Sequence, residues 1–105
     1  MPEKSDPMPK ALKVAEGRSG TPIETSLQRR KTVVIGRSAE CDIVIKDSKA
    51  SRKHCRLTRG ESAFVLEDLN SKNGTYVDGR RIKEPVTLRP NQTFKIGDTV
   101  FYLAL

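Results

Sequence analysis

Short runs of β-branched or alternating apolar residues recur along the chain, and Gly, Pro, Asn, Asp and Ser residues separate them. A run with a period of two residues, bounded by turn formers, is typical of a β-strand with one buried face. No window shows a sustained period of about 3.6 residues, which would predict an amphipathic helix. The predicted strands are Ala11–Ala15, Pro22–Leu27, Thr32–Ile35, Ile43–Ile45, Cys55–Thr58, Ala63–Leu69, Thr75–Val77, Arg81–Ile82, Val86–Leu88, Thr93–Ile96 and Thr99–Leu103.

This density of short strands predicts an all-β fold, either a sandwich or a barrel, with almost no helix. Two junctions carry hairpin signals. Asp78-Gly79 follows the strand Thr75–Val77, and a tight turn of this composition requires positive φ. We expect Gly97-Asp98 to join the last two strands in the same way.

The 105 residues suffice for one domain with a modest core but not for two. Residues 1–10 contain three prolines among charged side chains and lack an apolar period, so we interpret them as a flexible lead-in. The predicted domain covers residues 11–105.

The composition is that of a folded soluble protein, with 35% hydrophobic and 31% charged residues. The longest apolar run is Val100–Leu105, which is far shorter than the roughly 20 residues of a membrane span. No signal-peptide pattern opens the chain. We therefore expect a cytoplasmic location and no membrane insertion.

The net charge of +7 is compatible with nucleic acid, an anionic membrane surface, or a phosphorylated or acidic protein as partner. Residues 1–31 hold 7 basic and 4 acidic side chains, and residues 32–105 hold 13 and 9, so the excess is spread along the chain. Nucleic-acid binders more often combine concentrated basic residues with interleaved aromatics, which are scarce here. We expect no nucleic-acid partner, although charge-driven binding stays open as a weaker hypothesis.

No motif predicts an enzyme, a cofactor or a metal site. The chain lacks a GxxxxGK[ST] phosphate loop, has one histidine, and shows no GxSxG elbow around Ser51, so pairing Ser51 with His54 as nucleophile and base is disfavoured. Cys41 and Cys55 are expected to be reduced thiols packed as small hydrophobes. His54 and Cys55 are strand neighbours and should not aim at one ion.

Three separated segments contain groups suited to binding a phosphate: GRSAECDIVI (Gly36 to Ile45), SRKHC (Ser51 to Cys55) and LNSKNGTYVDG (Leu69 to Gly79). A phosphate monoester carries roughly −1.5 to −2 charges and three acceptor oxygens, so its receptor needs fixed donors and a cation. Arg37 follows a β-branched strand, where its guanidinium could donate two parallel bonds. Ser51 could donate from its hydroxyl and its backbone amide.

Each segment alone has an ordinary explanation. Arg37 could be a surface residue paired with Glu40 or Asp42, Ser51 a turn or capping serine, and Asn73-Gly74 a tight turn. In this order and at these spacings, however, GR, SRxH and NGT on a β-rich chain resemble the forkhead-associated (FHA) family, whose members bind phosphothreonine peptides. The resemblance covers roughly Ala11 to Leu105.

The resemblance implies an FHA/SMAD-like sandwich of two sheets with its ligand-binding loops at one end. It also implies a role for individual residues. Arg37 and Ser51 would contact the phosphate, and the Asn73 side chain would bond the ligand backbone. Lys72 stands where family members often have a small hydroxyl residue that reaches the phosphate, and Arg52 is a second-rank candidate for contact with the peptide.

Further roles follow from the same resemblance. His54 would hold Ser51 in position, and Gly36 and Gly74 would support the loops. The residue three places beyond the phosphothreonine would be read by the loop before Ser51, where Lys49 would suit an acidic side chain. A small pocket for the threonine methyl group would favour phosphothreonine over phosphoserine.

The predicted function is that of a phosphothreonine-dependent interaction module, itself non-catalytic, acting downstream of a Ser/Thr kinase and able to regulate a larger parent protein. The alternative is an FHA-like scaffold that assembles through its sheet faces without phosphate. We expect the ligand to come from another molecule rather than from phosphorylated Thr21 or Thr25 of this chain.

Overall fold

The computed structural model describes residues 8–17, 20–61 and 63–105, and within them the chain forms eleven β-strands and no helix. The all-β prediction is confirmed, and each predicted strand is present with its ends shifted by at most two residues. The strands are β1 (Ala11–Glu16), β2 (Glu24–Ser26), β3 (Thr32–Gly36), β4 (Ile43–Val44), β5 (Cys55–Arg59), β6 (Phe64–Asp68), β7 (Thr75–Val77), β8 (Arg80–Arg81), β9 (Val86–Leu88), β10 (Thr93–Ile96) and β11 (Thr99–Ala104).

The strands form two sheets that pack as a sandwich. One sheet has six strands in the order β2-β1-β11-β10-β7-β8, and the other has five in the order β4-β3-β5-β6-β9. Strand pairing is antiparallel except between β3 and β4, which pair in parallel through Ile35–Ile43 and Gly36–Val44. The two-sheet architecture implied by the FHA resemblance is therefore confirmed.

The core lies between the sheets because apolar residues alternate along each strand. In β11, Phe101 and Leu103 are buried, whereas Val100 and Tyr102 face outward and are half-buried. Phe101 stacks on Phe94 of β10 with ring centroids 5.1 Å apart. The largest fully buried side chains are Phe64, Phe94, Phe101, Leu12, Leu27, Ile35, Ile43, Ile45, Leu57, Leu66, Leu88 and Ile96.

Strand direction brings several loops to one end of the sandwich, which we call the upper end. It comprises the loop after β3 (37–42), the loop before β5 (45–54), the loop before β7 (69–74) and the β10–β11 turn. Backbone bonds join them, since Arg37 N–H donates to Ser51 O at 3.0 Å and Leu69 N–H donates to His54 O at 2.9 Å. The expected loop cluster at one end of the fold is thus present.

The two predicted hairpin turns differ in backbone geometry. Asp78 and Gly79 both have positive φ, 52° and 81°, as predicted for the turn between β7 and β8. In the β10–β11 turn Gly97 has positive φ, at 57°, and Asp98 does not, so the predicted tight turn is present with one positive-φ residue instead of two. Gly at the first central position is enough to make this two-residue turn.

The predicted lead-in is described only from residue 8. Met8 packs against the core, Pro9 is buried, and Lys10 N–H donates to Ala104 O at 2.7 Å. These contacts extend the fold upstream of the predicted start at Ala11, and the first seven residues lie outside the described ranges. In the described part of the chain, no helix has the length and apolar character needed to cross a bilayer.

Candidate functional site

Hydrogen bonds join the three sequence segments at the upper end. Ser38 N–H donates to Arg52 O at 3.0 Å, which adds to the bond between Arg37 N–H and Ser51 O. Lys72 N–H donates to Ser51 Oγ at 3.0 Å. Ser51 is therefore the common neighbour of the first and third segments, and the predicted phosphate contacts Arg37, Ser51 and Lys72 come together.

The Arg37 side chain is exposed, and its Nε–H donates to the carbonyl oxygen of Ala50. Among the described residues, the guanidinium makes no other hydrogen bond or ion pair, so its two terminal nitrogens remain available for an anion. The Arg37 pairing considered above does not occur, because Asp42 accepts from Val34 N–H at 2.8 Å and pairs with Arg30 at 3.4 Å.

An open cleft of about 650 Å³ adjoins Arg37. Its lining residues are Arg37, Ser38, Ala39, Glu40 and Arg52. The guanidinium groups of Arg37 and Arg52 therefore border the same space. Glu40 is the acidic member of the lining, and its carboxylate lies 4.0 Å from Lys53 Nζ.

Ser51 is half-buried, and its two polar groups have different partners. Its backbone N–H donates to His54 Nδ1 at 2.9 Å. The expectation that this amide is available to a phosphate is therefore wrong, because the imidazole already accepts its proton. Ser51 Oγ accepts from Lys72 N–H, and its own hydroxyl proton has no acceptor among the described residues. The hydroxyl is therefore the polar group of Ser51 that is available to a ligand.

His54 is fully buried and connects two of the loops. Because Nδ1 accepts from Ser51, Nε2 carries the proton and donates to Gly74 O at 2.8 Å. Burial lowers the pKa of His54, and this effect outweighs the bond to Gly74 and the nearby carboxylate of Asp68, which act in the opposite direction. The neutral ring thus holds the Ser51 backbone against the turn at Gly74.

The turn before β7 carries Lys72 and Asn73, which are both exposed. Asn73 Nδ2 donates to Lys49 O at 2.8 Å, and this bond leaves its amide oxygen and a second amide proton facing no protein partner among the described residues. Gly74 has a φ of 92°, which an L side chain rarely adopts. Asn73 itself does not have positive φ; Asn70 does, at 61°.

Gly36 allows the close approach of two loops. A Cβ atom at this position would overlap the carbonyl oxygen of Arg52 and crowd that of Ser51. The backbone bonds from Arg37 and Ser38 to the second segment therefore depend on the missing side chain.

Asp68 supports the turn before β7, and the sequence analysis did not predict this role. Its carboxylate accepts from the N–H and Oγ–H of Ser71 and from Thr75 Oγ1 at 2.7 Å. Ser71 Oγ in turn accepts from Gly74 N–H at 3.0 Å. Burial raises the pKa of Asp68, but these hydrogen bonds outweigh burial and the net pKa is lowered. An Asp three residues before a Ser in a loop is a recognisable turn signal.

Asp47 supports the second segment and was also missed. Its fully buried carboxylate accepts from Lys49 N–H at 2.9 Å, Asp98 N–H at 2.7 Å and Thr99 Oγ1 at 3.2 Å. A Cβ atom at Gly97 would overlap this carboxylate. Burial raises the pKa of Asp47, yet the hydrogen bonds dominate and the net pKa is lowered. Asp47 thereby fixes the loop that precedes Ser51 to the β10–β11 turn.

Lys49 lies at the edge of the cluster, and its ammonium group already has a partner. Its Nζ is 3.3 Å from Asp98 Oδ1, and both side chains are about half exposed, at 56% and 43%. An acidic ligand side chain would have to compete with Asp98 for Lys49.

The two candidate threonines for self-recognition lie on or next to β2. Thr21 is 9% exposed, and its Oγ1 accepts from Lys46 N–H at 3.5 Å. Thr25 is half-buried within β2. A kinase could reach Thr21 only after the segment moves away from Lys46, which disfavours Thr21 as the ligand in this conformation.

Both cysteines are buried, and Cys41 Sγ–H donates to Arg52 O at 3.0 Å. Burial raises the pKa of both thiols, most strongly that of Cys55, so both are protonated at neutral pH. Within residues 8–17, 20–61 and 63–105, no three His, Cys, Asp or Glu side chains are grouped as metal ligands. Both His54 ring nitrogens are occupied by protein partners.

Curated proteins include relatives that match most of this chain. FhaB of Mycolicibacterium smegmatis, described as an FHA domain-containing protein, is 38% identical over 93 residues, which are 88% of this chain and 58% of FhaB. The chain thus spans little more than half the length of this relative.

Solved structures give the same result. The FHA domain of CT664 from Chlamydia trachomatis is 37% identical, with a TM-score of 0.82 over 90% of this chain and 95% of that domain. EmbR of Mycobacterium tuberculosis, solved in complex with a low-affinity phosphopeptide, is 32% identical, with a TM-score of 0.77 over 90% of this chain and 24% of EmbR. The model of the FHA domain family matches residues 33–97. The chain therefore belongs to the FHA domain family.

Proposed function

We propose that this domain binds phosphothreonine-containing peptides and that it recruits partners modified by a Ser/Thr kinase. The observation that carries the proposal is the arrangement around Ser51. There the exposed Arg37 guanidinium, the Ser51 hydroxyl and the Lys72 backbone belong to one hydrogen-bonded cluster. EmbR, a relative of similar fold, has been solved in complex with a phosphopeptide, and this supports the proposal.

The geometry suits a doubly charged ester group. The terminal nitrogens of Arg37 can donate two parallel bonds to one phosphate, and the Ser51 hydroxyl can donate a third. Arg52 borders the same cleft, and the Lys72 ammonium can approach from the opposite segment. Charge-assisted bonds of this kind contribute about 1.5–3 kcal/mol each. Unmodified threonine cannot form them, because its hydroxyl carries no negative charge.

Support for preorganisation comes from the residues beneath the cluster. His54, Asp68 and Asp47 are held by hydrogen bonds that tie the three loops to one another and to the β10–β11 turn. A binding surface fixed before the ligand arrives loses less conformational entropy on binding. We assign Asn73 the role of bonding the ligand backbone, since its amide oxygen is available next to the cluster.

The role is non-catalytic. Nδ1 of His54 accepts the Ser51 amide and does not face the hydroxyl as a general base, which argues against a hydrolytic pair. In the cell we expect the domain to act in the cytoplasm and in trans, and to regulate a larger parent protein.

The test is a screen of an oriented peptide library in which every sequence is present with phosphothreonine, phosphoserine and unmodified threonine. We expect binding to phosphothreonine, weaker binding to phosphoserine and none to threonine. Equal binding to all three would overturn the proposal and favour the phosphate-independent scaffold. Strongly salt-dependent binding to an oligonucleotide, with no response to the peptides, would favour the nucleic-acid hypothesis instead.

A further inference from the structure

The end of the sandwich opposite the phosphate cluster, which we call the lower end, carries a second concentration of positive charge. Its members, the lower basic group, are Lys10 before β1, Arg29 and Lys31 in the β2–β3 loop, and Arg59 at the end of β5. Arg59 is half-buried and the other three are exposed. Arg30 is not a member of the group, because it pairs with Asp42 at 3.4 Å.

The charges of this group are not neutralised by other side chains among the residues that the structure describes. The side chains of Lys10, Arg29 and Lys31 form no hydrogen bond or ion pair there, and the Arg59 side chain bonds only to backbone carbonyl oxygens. Glu61, which is exposed in the β5–β6 loop, forms no ion pair with Arg59. The lower end can therefore attract an anionic partner.

The lower basic group surrounds a concave surface. Lys10, Arg29 and Arg59 border an open cleft of about 520 Å³, and Met8 and Pro9 lie on its lining as apolar residues. Met8 packs against the core and Pro9 is buried, so both are anchored in the fold. A cleft with apolar lining and a cationic rim suits a ligand segment that carries both apolar and anionic side chains.

Hydrogen bonds hold the segments of the lower end together. Leu27 N–H donates to Lys10 O at 2.8 Å, which joins the β2–β3 loop to the residues before β1. Arg59 Nη2 donates to Leu27 O at 2.7 Å, and Arg59 Nε donates to Arg30 O at 3.0 Å. The Arg59 guanidinium carbon lies 5.0 Å from the centre of the Phe64 ring. A surface fixed in this way loses little conformational entropy when it binds a partner.

Arg29 occupies a backbone conformation that disfavours its residue type. Its φ is 65°, in the left-handed region that non-glycine residues rarely adopt. It is the third residue of a four-residue turn, since Arg30 N–H donates to Leu27 O at 3.2 Å. Gly or Asn usually occupies this position when φ is positive. Strained residues concentrate at functional sites, and the strained residue of this turn is one that borders the cleft.

We propose that the lower basic group binds an acidic segment of a partner protein. The chemistry recognised is a run of Asp or Glu carboxylates interspersed with apolar side chains. Guanidinium groups donate paired hydrogen bonds to carboxylates, and Met8 and Pro9 would contact the apolar side chains. The proposal does not rest on phosphopeptide binding at the upper end, and it adds a second, separate interaction surface to the domain.

The distance between the two ends shows that the surfaces are separate. From Cys55, which follows His54 of the upper end, to Arg59, the strand β5 covers about 13 Å at roughly 3.3 Å per residue. A short peptide bound at the upper end therefore does not reach the cleft. With both surfaces occupied, the domain would join two partners or two distant segments of one partner.

The shape of the cleft favours a protein segment over other anionic partners. The surface of a lipid bilayer is flat, whereas three of the four basic side chains border a concavity. Sites for single-stranded nucleic acid combine basic residues with exposed aromatic rings on which bases stack. No aromatic side chain lines this cleft, and Phe64, which lies against Arg59, is buried.

The test titrates the isotope-labelled domain with an acidic peptide of about ten residues, in which pairs of Glu alternate with single Leu residues, and with its Gln counterpart. The Glu peptide should shift the amide NMR signals of Lys10, Arg29 and Arg59, and the Gln peptide should shift none of them. Raising the ionic strength from about 0.05 M to about 0.3 M should weaken the binding about fivefold or more, because salt screens exposed charges. A Glu peptide that leaves these signals unchanged, or a Gln peptide that binds equally, would overturn the proposal.

Charge reversal makes the same comparison on the protein. The double variant Arg29→Glu with Lys31→Glu should bind the Glu peptide about tenfold or more weakly than wild type. Lys83→Glu with Lys95→Glu is the matched control, because it changes the net charge equally at exposed positions outside the group, and it should lose less than about threefold. Equal losses in the two double variants would show a general effect of net charge and overturn the proposal.

Arg29→Gly distinguishes loss of the side chain from loss of stability. Glycine adopts positive φ without strain, so the melting temperature should equal or exceed that of wild type. Affinity for the Glu peptide should nevertheless fall by up to about fivefold, since one exposed ion pair is lost. Undiminished binding by this variant would contradict the assignment of Arg29 to the site.

Two further probes decide the class of partner. They are phosphatidylcholine vesicles with about one third phosphatidylserine, and a single-stranded oligonucleotide, each titrated at the same ionic strength as the peptide. If either binds the domain more tightly than the Glu peptide does, and the double variant of Arg29 and Lys31 loses that binding, the assignment to a protein segment is overturned. If the Glu peptide binds at the lower end while no phosphothreonine peptide binds the domain, this proposal stands and the proposed function fails.

Discussion

The backbone amide of Ser51 donates its proton to Nδ1 of His54, so a buried imidazole fixes the position of the serine that we propose as a phosphate contact. This bond requires an unprotonated Nδ1, because a protonated ring would present a second donor to the amide. The other ring nitrogen donates to Gly74 O. Both the position of Ser51 and the stability of the fold therefore depend on the charge of His54.

The stability of the domain should fall when the pH drops below the ordinary histidine pKa. Burial lowers the pKa of His54 in the folded state, so the unfolded chain binds a proton first as the pH falls through about 6.5. The free energy of unfolding is then constant above this pH and decreases below it, by at most about 1.4 kcal/mol per pH unit. Urea unfolding between about pH 5 and about pH 8 measures the slope.

Because the chain has one histidine, a single substitution tests whether His54 causes this pH dependence. His54→Asn should flatten the profile across this window. It should also lower the free energy of unfolding at neutral pH by about 2 kcal/mol, since the bond to Gly74 is lost and a cavity is left. A variant that keeps the wild-type pH slope would show that another group is responsible. Below the ordinary carboxyl range, both proteins should lose further stability as Asp47 and Asp68, whose pKa values are lowered, become protonated.

Ser51→Ala should weaken phosphopeptide binding by about 1–3 kcal/mol, the range for losing a hydrogen bond to a charged group. The variant also loses the acceptor of Lys72 N–H, so a small decrease in stability is expected. Ser48→Ala provides the control, because Ser48 is exposed in the same loop. Calorimetric titration of both variants with one peptide tests the prediction, and equal affinities would remove Ser51 from the site.

Gly36→Ala should impair both stability and binding. The added methyl group would overlap the Arg52 carbonyl oxygen, and β3 would have to separate from the second segment. Overpacking of this kind costs about 1–3 kcal/mol, and the displacement should weaken phosphopeptide binding about tenfold or more. Thermal unfolding and titration measure the two effects.

Gly79→Ala distinguishes the effect of backbone strain on stability from the effect of displacing a loop of the candidate site. Gly79 has a φ of 81° but open space around a Cβ atom, and it lies in the β7–β8 turn away from the cluster. This variant should lose stability through backbone strain while retaining wild-type affinity. Equal loss of affinity in both glycine variants would indicate a general effect of destabilisation.

Asp98→Asn should expose a preference for acidic ligands that the wild-type domain lacks. Removing the Asp98 charge frees the Lys49 ammonium, while the Asp98 N–H can still donate to Asp47. Because exposed ion pairs contribute about 0.2–1 kcal/mol, a peptide with Asp three places beyond the phosphothreonine should bind up to about fivefold more tightly than its Asn counterpart. Glu61→Gln, an exposed acid in the β5–β6 loop, controls for net charge. No difference between the Asp and Asn peptides would mean that Lys49 does not read this position.

The strands could be predicted because each has a local signal. Alternating apolar residues and turn formers identified all eleven, and the Asp78-Gly79 turn was correct in its backbone angles. The order of the strands within each sheet, and the parallel pair of β3 and β4, could not be read from local patterns because they depend on long-range packing.

The residues of the candidate site could be named from the sequence, but their hydrogen bonds could not. The segments around Arg37, Ser51 and Asn73 were found because their motifs resemble a known family. The commitment of the Ser51 amide to His54, and the pairing of Lys49 with Asp98, result from residues far apart in sequence. Asp47 was missed because its burial and its hydrogen bonds leave no mark in the sequence. Asp68 was missed although its spacing to Ser71 is a turn signal.

The most direct measurement is a calorimetric titration of one peptide, with and without phosphate on its threonine, against the wild-type domain and Arg37→Ala. We expect wild type to bind only the phosphorylated form, and Arg37→Ala to bind neither while its melting temperature stays close to that of wild type. Undiminished binding of the phosphopeptide by a folded Arg37→Ala variant would contradict the central claim, and so would equal binding of the two peptides by wild type.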